Sequence, residues 1–174
     1  SKGAKVHGVD PSKIYIDIAK KKFSKNKDIK FKEMSFENVS DFNSIKTYYD
    51  FIFLSDVFLY YFVPYKKIEL TPTELLLQLK KKLKKDGKIF IIDPHGFFHL
   101  NAWFNLENPY IVVNEYSNRK YRVTPNLEEL SIVFENAGLS IVKIRELKYK
   151  GLDNDKSFYK EFPFWWFFEL RNDV

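Results

Sequence analysis

A chain of 174 residues with 45% hydrophobic content has room for one compact domain with a sizeable core, and no Pro-, Gly- or Ser-rich linker divides it. The absence of cysteine excludes disulfides, thiolate zinc sites and cysteine nucleophiles, and His7, His95 and His99 do not stand among acids at metal-ligand spacing, so no metal is expected. The net charge of +6 is concentrated in Lys20 to Lys22 and Lys80 to Lys85, near expected helix ends where it complements helix dipoles, so nucleic acid is not an expected partner.

No N-terminal apolar stretch resembles a signal peptide, and the apolar run from Phe51 to Phe62 contains Asp56 and is too short to span a bilayer. The chain is therefore expected to be soluble and cytoplasmic, with no membrane partner.

The first element is a short strand, Lys5 to Val9, that ends on Asp10 and turns through Pro11-Ser12 into a helix running to about Phe23. An acid at the tip of a strand in an open parallel sheet is placed to accept both hydroxyls of a ribose. Asp10 or Ser12 serving only as a helix cap is the alternative.

Further apolar or β-rich runs follow at Ile29 to Met34, Asp50 to Leu54 and Lys88 to Ile92. Continuous rather than alternating apolar runs predict burial on both faces, hence a parallel sheet between helices. Between the third and fourth runs, Thr71-Pro72-Thr73-Glu74 reads as a capping box, Leu75, Leu76, Leu79 and Leu83 as a buried stripe, and Asp86-Gly87 as a left-handed stop.

Beyond His95 an irregular aromatic stretch extends to Arg122, after which Thr124-Pro125 is expected to open a helix that faces Leu127, Leu130, Val133, Phe134 and Ala137 inward and ends at Gly138. Leu139 to Tyr149 and Phe162 to Leu170 read as a final antiparallel pair closing the sheet edge.

Taken in order, Gly8-Val9-Asp10-Pro11-Ser12, Tyr49 to Val57, Leu83 to Asp93 and Asn136-Ala137-Gly138-Leu139 resemble the Rossmann-like (class I) S-adenosylmethionine-dependent methyltransferases, over nearly the whole chain. The resemblance implies an α/β fold, a three-layer αβα sandwich with a mostly parallel sheet and an antiparallel C-terminal strand pair, in one domain over residues 1–174. It implies S-adenosylmethionine as cofactor and methyl transfer to oxygen or nitrogen of a small-molecule acceptor. It places Asp10 on the ribose, Ser35 and Phe36 against adenine, and Leu54 and Ser55 beneath the methionine part. Tyr60 and Tyr61 would face the transfer site.

Ser35 departs from the family, where an acid is frequent. Family members also open with a central strand and a glycine-rich turn that have no counterpart before Ser1-Lys2-Gly3. The chain is thus expected to be N-terminally truncated, with a partner or an upstream segment supplying the missing central strand.

His95, just past the fourth strand in Asp93-Pro94-His95-Gly96, is the candidate general base, its alternative being a hydrogen-bonded loop histidine. Asp93 and Asp56 read first as structural. Trp103 and the aromatics around it are candidates for a lid over the acceptor, or for core. Two rival readings remain: a non-catalytic methyltransferase-like binding or regulatory subunit, and a nicotinamide-dependent dehydrogenase, for which Tyr116 to Lys120 supplies the Tyr-x-x-x-Lys spacing.

Overall fold

The structure, a computed structural model, describes residues 3–62, 68–95, 114–116, 119–121, 125–148 and 163–172. Among the described residues, eight strands and three α-helices are arranged as β1 (Val6–Asp10), α1 (Lys13–Lys22), β2 (Ile29–Glu33), β3 (Tyr49–Ser55), α2 (Pro72–Lys80), β4 (Leu83–Pro94), β5 (Asn114–Tyr116), β6 (Arg119–Tyr121), α3 (Leu127–Asn136), β7 (Leu139–Lys148) and β8 (Pro163–Asn172). Short 3-10 turns at Val39–Ser44 and Phe58–Phe62 complete the described elements.

Strands β1 and β2 form one parallel pair, while β3, β4, β8 and β7 form a second sheet in that order. Within the second sheet β3 and β4 are parallel, and β8 runs antiparallel to both β4 and β7. The expected C-terminal antiparallel pair is present, with β8 placed inside the sheet and β7 at its edge.

The core lies on one face of this sheet. Ile89 and Ile91 of β4 and Phe168 and Leu170 of β8 meet Leu75, Leu76 and Leu79 of α2 and Leu130 and Phe134 of α3, all buried. Leu76, Ile89 and Leu170 have no exposure at all. Each such side chain contributes roughly 1.5–3 kcal/mol relative to leaving it in water. Lys80 joins the two helices, its Nζ donating to the carbonyls of Ala137 at 3.2 Å and Gly138 at 2.9 Å, at the end of α3 where a cation is favoured.

Helix ends follow local chemistry. Ser12 caps α1, and Thr71 with Glu74 forms the expected capping box on α2 around Pro72. Gly138 adopts φ 64 and stops α3 as expected.

Three local expectations are corrected. The α2 helix ends at Lys80 instead of Gly87, because Leu83 already pairs with Tyr49 as the first residue of β4. Gly87 does not have a positive φ; it lies where the β3–β4 register is irregular, and a Cβ there would come within 3.0 Å of the Tyr49 and Lys84 carbonyl oxygens. The cap of α3 is Asn126, paired with Glu129, two residues beyond Thr124.

The third correction concerns burial. Ile52 and Leu54 of β3 pack on the core, but Phe51 and Phe53, on the opposite face, are 56% and 66% exposed, so this apolar strand is covered on one face only among the described residues.

Candidate cofactor and acceptor site

All the candidate residues that the structure describes come from the carboxyl-end side of the parallel strands, the edge at which open α/β sheets take ligands. Asp10 ends β1, Ser35 and Phe36 follow β2, Leu54 and Ser55 end β3, and His95 follows β4.

Asp10 is half-buried, and its Oδ1 accepts the backbone N–H of Ser12 at 2.7 Å. That bond fixes the carboxylate at the strand-to-helix turn, while Ser12 itself caps α1 by accepting from the N–H of Tyr15. The capping duty therefore falls to Ser12. The Asp10 side chain makes no other hydrogen bond among the described residues, so its second oxygen is available to a diol.

Ser35 donates to Glu37 Oε1 at 3.1 Å, which brings an acid to this loop two residues beyond the position at which the family frequently carries one. The loop is tied to the 3-10 turn that follows, where Asp41 Oδ2 accepts the N–H groups of both Glu37 and Asn38. Phe36 stacks on buried Phe42 with ring centroids 4.5 Å apart, so one of its faces belongs to the core. Tyr61 donates its hydroxyl to the Phe36 carbonyl at 2.8 Å, and burial pushes its phenol up to about 12. Tyr61 is thus a neutral tie between the loops after β2 and β3, whereas Tyr60 beside it is exposed.

The loop after β3 is held by β4. Asp93, 7% exposed, accepts the N–H groups of Val57 and Phe58, and Asp56 takes a left-handed φ of 51 while its own N–H reaches Ile92. Asp93 thus has a structural part, and it is Asp93, not Asp56, whose carboxylate takes the N–H groups at the start of the turn after β3. Burial outweighs the N–H donors and raises the Asp93 carboxyl to about 7.

His95 is buried, its Nε2 lies 3.3 Å from Glu146 Oε1 of β7, and its ring centroid is 4.2 Å from that of Trp166 on β8. Burial lowers its pKa from the ordinary value and the Glu146 carboxylate opposes that shift, so the imidazole favours its neutral, proton-accepting form. Glu146 and Trp166 carry no sequence signal for this role; they reach His95 only through the β4–β8–β7 strand order. Trp103 lies outside the described residues, as does most of the aromatic stretch considered as a lid.

Tyr116 and Lys120 fall on the two strands of the β5–β6 hairpin and not on one helix. The helical face required by the dehydrogenase reading is therefore absent. Among the described residues no group of His, Asp or Glu could hold a metal ion, and no helix is long and apolar enough to cross a membrane.

Two parallel strand pairs, β1–β2 and β3–β4, with an acid at the carboxyl tip of β1 and a small hydroxyl at that of β3, define a Rossmann-like nucleotide-cofactor fold. The family model of the methyltransferase domain matches residues 1–144, and the chain belongs to that family: it is an S-adenosylmethionine-dependent methyltransferase. No curated protein matches it.

Among solved structures, it is similar to a Clostridium acetobutylicum S-adenosylmethionine-dependent methyltransferase at 11% identity and TM-score 0.62, covering 97% of this chain and 75% of that one. A Methanosarcina mazei methyltransferase superposes with TM-score 0.61 at 14% identity, covering 98% and 83%. The Bradyrhizobium japonicum N-methyltransferase NodS in complex with S-adenosyl-L-homocysteine gives TM-score 0.58 at 13% identity, covering 97% and 66%. At these identities the likeness is one of fold.

Proposed function

We propose that the chain transfers the methyl group of S-adenosylmethionine to an oxygen or nitrogen of a small molecule, with His95 as the base. What supports this reading is that Asp10, Ser55 and His95 each stand at or just past the carboxyl end of a parallel strand, Asp10 in the β1–β2 pair and the other two in the second sheet, the first a carboxylate with an oxygen to spare and the last a buried imidazole backed by a carboxylate.

In this reading Asp10 accepts the ribose hydroxyls, Ser35 with Glu37 and Phe36 lines the adenine side, and Leu54-Ser55 runs beneath the methionine part. The cofactor supplies an activated methyl group, so the protein's share is alignment and removal of the acceptor's proton. His95 takes that proton while Glu146 holds the ring. Tyr60 and Trp103 are assigned to the acceptor pocket, and Tyr61 supports it by fixing the loop after β3 to the loop after β2.

Calorimetry with S-adenosylhomocysteine tests the cofactor half. Asp10→Ala is expected to weaken binding roughly 10- to 100-fold, the worth of charge-assisted hydrogen bonds; unchanged affinity refutes the assignment. Release of S-adenosylhomocysteine across a panel of small hydroxyl and amine acceptors tests the other half. His95→Gln is expected to lower kcat by a factor on the order of 100 with cofactor affinity intact and to remove the acid limb of the pH profile. Cofactor binding with no turnover on any acceptor favours a regulatory subunit instead.

A further inference from the structure

Strands β4, β8 and β7 bring three side chains onto one rung of the sheet. Trp166 of β8 lies directly opposite both Asp93 of β4 and Glu146 of β7, and directly opposed residues of antiparallel strands share a face. That face is the one that carries the core, since Trp166 is in step with buried Phe168 and Leu170, and Asp93 with buried Ile89 and Ile91. His95, just past β4, is next in step on it.

The imidazole does not continue straight beyond the rung. Its Nε2 is 3.3 Å from Glu146 Oε1, on a strand two inter-strand steps or about 10 Å from β4, so the ring leans across β8 to get there. What it leans across is the Trp166 indole, with the two ring centroids 4.2 Å apart and 43° between their planes. The indole in turn is held by the core: its centroid is 5.8 Å from that of Phe168, which meets Phe134 of α3 at 5.1 Å. Turning the indole would displace buried rings.

Packing does not call for a histidine there. An apolar side chain would fill the space without the cost of burying a group that can ionise, and Glu146, 52% exposed, would keep its hydration. Chemistry accounts for the imidazole, and the indole decides how it lies.

We propose that Trp166 is a positioning residue for methyl transfer: its indole fixes the His95 imidazole across the sheet with Nε2 turned to Glu146, and keeps water from the face of the ring that it covers. This assignment rests on the reading of His95 as the base. The acceptor's proton passes to the imidazole, and the positive charge that the ring gains lies against the Glu146 carboxylate.

Two opposed shifts mark the arrangement. Among the described residues Glu146 meets the ring, Asp93 turns its carboxyl to Val57 and Phe58, Lys148 is exposed at the end of β7, and Glu128 and Glu129 stand in the first turn of α3. Burial lowers the imidazole's pKa and the Glu146 carboxylate raises it, so removing the cover and removing the carboxylate act with opposite sign.

Titration of the His95 ring by NMR, which needs neither cofactor nor acceptor, tests the proposal together with the pH profile of kcat on the best acceptor of the panel above. Glu146→Gln leaves burial unopposed and is expected to move the titration and the acid limb to lower pH. Trp166→Ala admits water and releases the ring from Glu146. It is expected to move both to higher pH, toward the ordinary histidine value, and to lower kcat roughly 10- to 100-fold with affinity for S-adenosylhomocysteine intact. Trp166→Phe keeps a ring face and is expected to restore most of the rate. Because the indole acts through His95, adding Trp166→Ala to His95→Gln is expected to cost no more than about twofold in kcat.

Should Trp166→Ala not fold, Trp166→Leu is read in its place, and should no acceptor turn over, the titration decides alone. A His95 titration that Trp166→Ala leaves unmoved or moves to lower pH overturns the proposal, as does an undiminished cost of Trp166→Ala in the His95→Gln background. His95→Gln at full rate refutes the base reading instead, whatever the titration shows, and the part of Trp166 in the reaction falls with it.

Discussion

Asp93 offers a sharp test of the electrostatics beneath the candidate site. Its carboxyl is buried at the end of β4 and accepts the N–H groups of Val57 and Phe58, yet burial dominates and lifts it from an ordinary 3.8 to about 7. A folded-state pKa above the unfolded value means that the folded protein binds the proton more tightly. Stability is then fully present below about pH 4 and is lost as pH rises toward 7. With 1.36 kcal/mol for each pH unit of displacement, the loss attributable to this one group is about 4 kcal/mol by pH 8.

Asp93→Asn keeps an oxygen for Val57 and Phe58 and removes the charge. Urea unfolding of both proteins between pH 4 and pH 8 isolates the group, because every other acid cancels in the difference. The variant is expected to gain on the parent by about 4 kcal/mol over that range, with little change above pH 8. A difference independent of pH, or one in which the parent gains as pH rises, would show that the N–H donors stabilise the carboxylate more than burial disfavours it, and refute the reasoning.

Two further outcomes probe the framework that carries the site. Leu76→Ala opens a cavity where α2 meets the sheet and is expected to cost about 2–5 kcal/mol in chemical denaturation, since Leu76 is fully buried. Gly138→Ala forces a left-handed φ of 64 on a residue with a Cβ and crowds Lys80 Nζ at 2.7 Å; a loss of about 1 kcal/mol or more is expected, and a neutral or stabilising result would exclude strain at this stop.

Much of the fold could be read from local pattern. The capping box at Thr71 and Glu74, the stop at Gly138 and the apolar strand cores depend on residues within a few positions of each other, and they recur in the structure. Asp10 could be singled out because a strand end and a helix start meet there in five residues. The site around His95 was legible only in part: the histidine announces itself by chemistry, but Glu146 and Trp166 are brought to it by pairing across β8. Glu37 is legible in principle, two residues beyond Ser35, but only the folded loop brings its carboxylate to the Ser35 hydroxyl.

Local sequence determined where strands and helices begin and end, because hydrophobic period, caps and turn residues act over one or two turns of chain. Even there α2 stops before the Asp86-Gly87 signal, because pairing of Leu83 with Tyr49 outweighs it. Tertiary structure alone decided which strands are neighbours, which face of β3 is covered, and that Asp93 is buried enough to hold its proton near neutrality. Those depend on contacts between residues far apart in sequence and on the dielectric they create together, and neither is encoded in any short stretch of residues.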